Sequence, residues 1–307
     1  MKFIKSGMQT SIQDLGRIGL MNLGVSQGGA MDQDSLKLAN WLVGNPTDAP
    51  AFEITLIGPV IEFQHSLLIA ICGAQFELFL NQTPVDNNCC IKVSAGDQLR
   101  FGKLINGARA YLSISAHFQI PRVLSSYSTH LIAGFGGYKG RQIKDNDKLD
   151  ITPRNCQIER VLPANWQRNY SGNYLIRCVN SVETELFSKD MSESFFSQSY
   201  QVSPQSNRMG IQLEGDFDSL SNSIEITSSG LTLGSIQITP SGKPIISTVD
   251  GQTIGGYPRI ANVISSDLPL LGQLKASDRV NFTLIEYEYA VTILQNKEQF
   301  LQSIFSS

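Results

Sequence analysis

Short runs of apolar residues, each about as long as a β-strand, make up most of the chain. Three of them are Ser66–Ile71, Phe76–Leu80 and Tyr111–Ser115, and several runs alternate apolar with polar residues. Turn-forming residues separate them, as at Asn106-Gly107 and Ala95–Asp97. Alternation with a period of two, interrupted by Gly, Asn and Asp, is typical of strands joined by tight turns. The pattern therefore predicts a mainly β protein.

Three segments have helical signals instead. The first is expected to begin near Asp32 and to end around Gly44–Pro46, where glycine and proline stop a helix. The second is expected after Ser181, because Thr184-Glu185 follows it as a loose capping box. The third is expected over Tyr287–Phe305, since apolar residues are spaced along one helical face. That face consists of Ala290, Val291, Leu294, Leu301 and Ile304.

Weak sequence matches recur in the same order in both halves of the chain and favour two related β-barrel halves. The polar stretch Pro153–Gly172 breaks the alternating pattern and predicts the seam between them. We therefore expect an N-terminal barrel domain over residues 1–155 and a C-terminal one over 170–307. The matched pairs are Val25-Ser26 with Val202-Ser203, Phe52–Thr55 with Ile224–Thr227, and Ser94–Phe101 with Ala276–Phe282.

Composition narrows the classes of function. A chain of 307 residues with 41% hydrophobic and 17% charged residues is expected to fold rather than to be disordered. The net charge of −3, without a basic block, argues against nucleic acid as a partner. No apolar run reaches the ~18 residues of a membrane span, and no signal peptide precedes Gly7, so we expect a cytoplasmic protein. Five cysteines without a CxxC pair, and three isolated histidines, do not indicate a metal site.

One candidate site combines the segments Gln13–Arg17 and Gly24–Asp32. Glycines allow backbone N–H groups to approach an anion, and an arginine can hold a carboxylate with two parallel hydrogen bonds. The alternative is a turn followed by the N-cap of the first helix, which would use Asp32 in any case. The residues expected to bind substrate here are Gln13, Asp14, Arg17, Gly28, Gly29 and Asp32.

A second candidate is the glycine-rich, basic segment Gly134–Arg141. Its backbone amides are suited to cradle a phosphate or a carboxylate. It is not a Walker A loop, because the Gly-Lys-Ser/Thr sequence is missing. A mobile hairpin with two solvated cations is an equally good interpretation of this segment.

The third candidate lies in the C-terminal half, where Gln237 precedes the polar loop Thr248–Arg259. This loop contains Asp250, Gln252 and Tyr257, which would each need a hydrogen-bond partner if they were buried. A binding or catalytic loop on the surface is the better interpretation, with Asp250 as a solvent-exposed loop residue. No Gly-x-Ser-x-Gly elbow occurs, so carboxylates, amides and arginines would have to carry the chemistry.

These segments make the chain resemble a known family. From about Gly7 to Phe282 the motifs follow, in order, those of the KipA-like family, which includes the C subunit of 5-oxoprolinase and is also described as allophanate hydrolase subunit 2. The family is in turn similar to half of the carboxyltransferase domain of biotin-dependent urea carboxylase. The motifs are Gln13–Arg17, Gly28–Asp32, Ala39-Asn40, Phe52-Glu53, Ser206–Gly210, Gly234–Gln237 and Gly255–Pro258.

The resemblance implies cyclophilin-like β-barrels and a hydrolase subunit that is inactive alone. Its partners would be a KipI-like B subunit and a LamB/YcsF-like A subunit, and the three together would open 5-oxo-L-proline to L-glutamate. ATP would act in the assembled complex, and no Met-Lys-Met site for biotin occurs in this chain. As hypotheses about this chain, we assign an anion contact to Arg17 or Arg208, proton transfer to Asp250, and amide recognition to Gln237 and Gln252. Asp250, Gln237 and Arg208 are the expected catalytic residues, and Gln252 and Tyr257 are expected to bind substrate.

The chain departs from the family pattern at several places, which concern the substrate more than the fold. Ala116-His117 and Ser125-Ser126 replace usual glycines, Gln212 replaces a common arginine, and Ser229 replaces a common glutamate.

Two other functions stay open. One is a KipA-like regulatory protein that sequesters a KipI-like kinase inhibitor. The other is a carboxyltransferase component of a urea carboxylase or allophanate hydrolase system.

Overall fold

The computed structural model describes residues 1–215 and 226–306, and the chain divides into two compact units. The N-terminal unit consists of Met1–Ile18 and Gln27–Tyr170. The C-terminal unit consists of Gly19–Ser26 and Ser171–Ser307. The change of unit after Tyr170 falls within the polar stretch that interrupts the alternating sequence pattern.

Eight strands of the N-terminal unit, which is described in full, form one curled sheet. Its strands are β1 (Lys2–Lys5), β2 (Gln9–Gln13), β3 (Ala51–Thr55), β4 (Val60–Glu62), β5 (Leu67–Leu80), β6 (Thr83–Val85), β7 (Cys90–Val93) and β8 (Gln98–Ile114). The order is β1-β4-β8-β3-β2, with β5 paired to β6, β7 and β8. A separate pair of strands consists of β9 (Ala116–Phe118) and β10 (Ile151–Pro153).

Strands β5 and β8 form a long antiparallel ladder that the sequence pattern did not predict correctly. The two expected strands Ser66–Ile71 and Phe76–Leu80 belong to one strand, and β8 continues through the expected turn at Asn106-Gly107. Register shifts between Gly73 and Leu78 mark bulges in this ladder, and Gly107 has a φ of 73°. A β-bulge and a tight turn both favour glycine in a left-handed conformation. The dipeptide Asn106-Gly107 is therefore compatible with a bulge within one strand as well as with a turn between two strands.

The core of the N-terminal unit is built from the alternating apolar residues of these strands. Phe52 lies at its centre and contacts Phe3 and Phe118 edge-on, with ring centroids 5.2 and 5.1 Å apart. Edge-on contacts between aromatic rings stabilise a core beyond the area that they bury. The helix α1 (Gln33–Leu42) packs against β5 and β8 and buries Leu36 and Ala39.

The C-terminal unit contains a closed barrel of seven of its described strands. Its order is β11 (Asn173–Asn180), β18 (Arg259–Val263), β15 (Ser235–Ile238), β16 (Pro244–Ser247), β13 (Gly210–Glu214), β12 (Ser199–Val202) and β19 (Arg279–Leu284). All pairs are antiparallel except β11 with β19, which closes the barrel in parallel. The short strands β14 (Ser229–Gly230) and β17 (Ile254–Gly255) pair outside it. The prediction of a mainly β protein with two barrel-like halves is confirmed.

Two of the three predicted helices are confirmed, and the start of the other was wrong. Asp32 is the N-cap of α1, and the last helix, α4, spans Tyr287–Phe305. The middle helix, α2 (Lys189–Ser197), begins later than expected, because Ser188 caps it by accepting a hydrogen bond from Met191 N at 3.2 Å. Ser181 instead precedes a single 3₁₀ turn. A further short helix, α3, spans Leu268–Leu271.

One of the sequence matches between the halves has the same local structure in both units. Ser94–Phe101 and Ala276–Phe282 are each a turn followed by a strand, which begins at Gln98 in β8 and at Arg279 in β19. In the match of Phe52–Thr55 with Ile224–Thr227, residues 224 and 225 lie outside the described residues. Within the described ranges, none of the helices is both long and apolar enough to cross a membrane.

Candidate functional site

A pocket of about 260 Å³ opens in the C-terminal unit beside the polar loop that follows β16. Gln237 of β15 lines it together with Gln252 and Tyr257 of the loop, so three residues predicted from sequence meet here. Gln237 is buried, whereas Gln252 and Tyr257 are exposed at the pocket. The other lining residues are Asn207, Met209, Gly210, Gln212, Leu231, Ile245 and Ser247.

The pocket has a neutral, amide-rich lining. Among its described lining residues are three glutamines and one asparagine, but no aspartate, glutamate, lysine or arginine. A carboxamide presents donors and an acceptor side by side, so it can match a ligand that has both. Gln237 Nε2 donates to Tyr257 O at 3.4 Å, which directs the amide towards the Gly-Gly-Tyr-Pro turn.

The glycine of that turn makes room for the amide. A Cβ atom on Gly255 would lie 2.6 Å from Gln237 Nε2 and 3.4 Å from a methyl group of Leu231. Any larger residue would therefore displace the amide from its position in the pocket. The motifs Gly234–Gln237 and Gly255–Pro258 are linked by this contact, which the sequence alone did not reveal.

Arg208 and Asp250 form a buried ion pair next to the pocket. Arg208 Nε and Nη2 donate to the two carboxylate oxygens at 2.8 and 3.1 Å, and the side chains are only 4% and 1% exposed. Asp250 N also donates to Arg208 O at 2.9 Å, and Thr248 Oγ1 donates to the same oxygen at 2.6 Å. The predicted position of Asp250 on a solvent-exposed loop is wrong, because the ion pair draws the carboxylate inside.

The ion pair adjoins the pocket lining without being part of it. The lining includes Met209 and Gln252, which neighbour this pair in sequence, but not Arg208 or Asp250 themselves. Both oxygens of Asp250 accept hydrogen bonds from Arg208, so the carboxylate is committed to holding the arginine. The geometry therefore indicates that the pair positions the surrounding loops. It does not support the predicted proton transfer by Asp250.

The predicted N-terminal site is dominated by contacts within the protein. Asp14 accepts hydrogen bonds from Ser126 Oγ, Ser128 Oγ, Tyr127 N and Gly16 N at 2.5–2.8 Å. Arg17 is buried, donates to the carbonyl oxygens of Val123 and Ser128, and lies 4.7 Å from the ring centre of Phe135. These two side chains hold the segment 123–135 against the start of the chain.

Gln13 and Asp32 are likewise buried and bonded within the protein. Gln13 Nε2 donates to Ser11 Oγ at 2.9 Å and to Thr129 O at 3.1 Å. Asp32 accepts from Ser35 N at 3.0 Å and from Ser35 Oγ at 2.6 Å, as an N-cap does. These contacts agree with the alternative interpretation of Gln13–Asp32, namely a turn followed by the N-cap of α1.

The glycines of the N-terminal motif allow two loops to touch. A Cβ atom on Gly16 would lie 2.5 Å from Gln27 O, and one on Gly29 would lie 2.8 Å from Gly16 N. Gly16, Gly28 and Gly29 also have φ values of 89°, 64° and 88°, which side chains rarely adopt. Asp14 and Gly16 line a separate cavity of about 380 Å³ in this unit, so a ligand role of the motif stays a prediction.

The substitution of serine for a common glutamate at position 229 has a local explanation. Arg259 follows the Gly-Gly-Tyr-Pro turn and donates to the carboxylate of Glu183, to Gly230 O and to Ser229 Oγ. Glu183, which no motif in the sequence marks as a site residue, thus supplies the charge that neutralises Arg259. The arginine holds the pKa of the Glu183 carboxyl below its ordinary value, chiefly through the side-chain hydrogen bond.

Some lining residues were not predicted as site residues, although the strand pattern contains a signal for them. Gly210 and Gln212 lie two apart on β13, and Ile245 and Ser247 lie two apart on β16. Alternate residues of a strand point to the same face, so each pair faces the pocket together. Sequence alone did not show which face of these strands carries the pocket.

Comparisons with known proteins agree on a family. Residues 23–284 match the carboxyltransferase domain, subdomain A and B. The chain is 34% identical to the C subunit of 5-oxoprolinase from Escherichia coli K12, over 99% of this chain and 97% of that protein. It is 33% identical to the corresponding 5-oxoprolinase protein of Haemophilus influenzae, over 96% and 94%. The crystal structure of the K. lactis urea amidolyase matches with a TM-score of 0.91 and 31% identity, over 98% of this chain and 20% of that one.

The chain therefore belongs to the family of carboxyltransferase domains with subdomains A and B, as its motifs implied. It is homologous to the C subunit of 5-oxoprolinase along nearly its whole length. It is also homologous to the carboxyltransferase region of urea amidolyase, of which it spans about a fifth.

We expect removal of one partner of the Arg208–Asp250 pair to be strongly destabilising. Asp250→Leu leaves a buried guanidinium without its carboxylate, and the free energy of unfolding should fall by about 3–5 kcal/mol. The double variant Arg208→Leu/Asp250→Leu removes both charges and should recover a large part of this loss. Urea unfolding monitored by circular dichroism measures both quantities.

The exposed pair Lys189–Glu193 supplies the control, because its side chains are 86% and 67% exposed. Glu193→Leu should change stability by no more than about 0.5 kcal/mol. A loss of less than about 1 kcal/mol for Asp250→Leu, similar to this control, would contradict a supporting function of the buried pair.

Two glycines with similar φ values, 89° for Gly16 and 83° for Gly19, provide a second test. Gly16→Ala introduces a Cβ atom 2.5 Å from Gln27 O, whereas Gly19 has a φ of 83° and nothing within 4 Å of its Cβ position. Gly19→Ala should lower the free energy of unfolding by about 1 kcal/mol, the cost of holding alanine in a left-handed conformation. Gly16→Ala should cost clearly more, and equal melting temperatures of the two variants would refute the close contact of the two loops.

Proposed function

We propose that this chain acts as the C-type subunit of an ATP-dependent 5-oxoprolinase and that its C-terminal pocket receives the lactam ring of 5-oxo-L-proline. The observation that carries this proposal is the neutral, amide-lined pocket around Gln237 and Gln252. The near full-length similarity to two proteins named as the C subunit of 5-oxoprolinase supports it. The partners would be a KipI-like B subunit and a LamB/YcsF-like A subunit.

The chemistry of a lactam fits carboxamide side chains. A lactam presents an N–H donor and a carbonyl acceptor on the same side of the ring, and a glutamine amide offers the complementary acceptor and donor. We assign this pairing to Gln237 and Gln252. The substrate carboxylate would accept hydrogen bonds from neutral donors at the pocket, for which Asn207 and Tyr257 are available.

The chain's own part would be binding and orientation. A lactam is a stable amide, and ATP in the assembled complex would supply the energy to activate its carbonyl for attack by water. Gln237 and Gln252 would fix the ring, and the Arg208–Asp250 pair would keep the surrounding loops in place. Holding the reacting groups in a productive geometry lowers the barrier without a nucleophilic side chain.

A second candidate is carboxyl transfer to or from a biotin carried by another protein. The observation in its favour is the TM-score of 0.91 against the K. lactis urea amidolyase. The ureido ring of biotin also presents N–H and carbonyl groups, so the same pocket would suit it. An assay of the assembled complex with 5-oxoproline and ATP, compared with one using biotinylated carrier protein and bicarbonate, separates the two candidates.

The pocket amides should control turnover. Gln237→Met and Gln252→Met keep the side-chain length but remove the hydrogen bonds, and each should lower kcat/KM for 5-oxoproline by about tenfold. The measurement is ATP-coupled turnover of the complex, co-expressed with its A and B subunits. Gln302→Met on the exposed surface of α4 is the matched control. Wild-type kinetics in both pocket variants, with assembly intact, would remove this pocket from the reaction.

The isolated chain should not hydrolyse 5-oxoproline, because the described residues that line its pocket form no self-contained catalytic set. Mixed with a KipI-like B subunit, it should elute in gel filtration as one complex. Sustained turnover by the isolated chain would disprove its assignment to a multi-subunit enzyme. Complex formation without any turnover, even when the LamB/YcsF-like A subunit is present, would favour the regulatory alternative.

A further inference from the structure

The glycine-rich segment Gly134–Arg141 folds into a tight loop in the N-terminal unit. Gly140 N donates to Gly136 O at 2.8 Å and closes one turn of backbone. Gly136, Gly137, Lys139 and Gly140 all have left-handed φ values, between 52° and 71°. Two-residue hairpin turns contain at most two left-handed residues, so this loop is not an ordinary hairpin. Its peptide groups change direction sharply within five residues.

Close packing holds the loop in this shape. A Cβ atom on Gly136 would lie 2.2 Å from Ser128 O, and one on Gly137 would lie 1.8 Å from Thr129 Oγ1. Tyr138 is buried and its hydroxyl donates to Lys148 O at 3.0 Å. The loop is therefore arranged before any ligand binds, and the interpretation as a mobile hairpin does not fit these contacts.

The loop contains four successive backbone N–H groups that have no acceptor among the described residues. They belong to Gly136, Gly137, Tyr138 and Lys139. The first three of these residues are buried. More than nine in ten buried backbone N–H groups in proteins are hydrogen-bonded, so a run of such groups without a protein acceptor indicates a place for an external acceptor.

These residues line a cavity of about 470 Å³ together with Gln119–Pro121, Val123 and Lys148–Asp150. Lys139 and Lys148 are among the lining residues, and neither forms a salt bridge within the described residues. Lys139 Nζ lies 5.0 Å from the ring centre of Tyr138. Asp150 is the one carboxylate in the described lining. The described lining thus contains two basic residues and one acidic residue, a balance that favours an anionic ligand.

We propose that this loop is a binding site for a phosphoryl group, which we call the phosphate cradle: Gly136–Gly140 with Lys139 and Lys148. Successive N–H groups of left-handed turns form an anion-binding concavity. Lysine recognises phosphate as a point charge, whereas the planar carboxylate is better matched by the fork of an arginine. The same chemistry is offered by free phosphate and by the terminal phosphate of a nucleotide.

The test measures the NMR chemical shifts of the loop N–H groups. The full-length chain, labelled with ²H and ¹⁵N, is titrated with inorganic phosphate at constant ionic strength and followed by TROSY NMR. We expect saturable downfield shifts of the Gly136 and Gly137 amides. The variant Lys139→Ala/Lys148→Ala should bind about tenfold more weakly or worse, with the rest of the spectrum unchanged. Lys103→Ala/Lys144→Ala removes two exposed lysines elsewhere in the unit and should bind like the unmodified chain.

Further titrations identify the ligand. Tighter binding of ADP than of phosphate, at the same amides, would assign the cradle to a nucleotide, and the reverse order would assign it to free phosphate. Equal saturation by glutarate would overturn the phosphoryl assignment. Absence of saturable shifts at Gly136–Lys139 with both phosphate and ADP would overturn the site itself. These titrations measure binding and not turnover. Their results therefore do not bear on the proposed lactam pocket in the C-terminal unit.

Discussion

The buried ion pair of Arg208 and Asp250 is the constraint on which the C-terminal pocket depends. It ties the chain before β13 to the loop after β16, and these two stretches supply four of the ten described lining residues of the pocket. A charge taken out of water is tolerated only when its partner is well placed, so each residue requires the other. The pair thereby keeps Gln252 and Tyr257 opposite Gln237 while leaving the pocket itself neutral.

The N-terminal unit uses charged motif residues in the same way. Asp14 gathers two hydroxyl groups and two backbone N–H groups, and Arg17 gathers two carbonyl oxygens from the same neighbouring segment. Glu53 accepts hydrogen bonds from Tyr111 Oη at 2.7 Å and from Met31 N at 2.9 Å. Buried carboxylates of this kind organise loops by satisfying backbone donors that no strand can reach. A motif dense in polar residues is therefore not by itself evidence of contact with substrate.

The two units present different chemistry to ligands. The C-terminal pocket offers neutral amides, suited to the lactam group of a cyclic amide, whereas the glycine-rich loop of the N-terminal unit offers backbone N–H groups and lysines. Under the proposed function, the assembled complex would have to handle both an amide and phosphoryl groups. The family assignment rests on sequence and fold together, since identity of 34% extends over 99% of the chain.

The sequence by itself determined the fold class, the first and last helices, and the residues Gln237, Gln252 and Tyr257 of the pocket. These follow from local signals: alternation, helix caps, and polar groups gathered in one loop. Tertiary structure alone decided that Asp250 is buried against Arg208, 42 residues away, and that Gly107 forms a bulge rather than a turn. It also decided that α2 begins at Lys189. A carboxylate on a loop and a glycine in a left-handed conformation produce the same sequence pattern in either environment. Only the partner brought near by folding determines whether the group meets water, a ligand or another side chain.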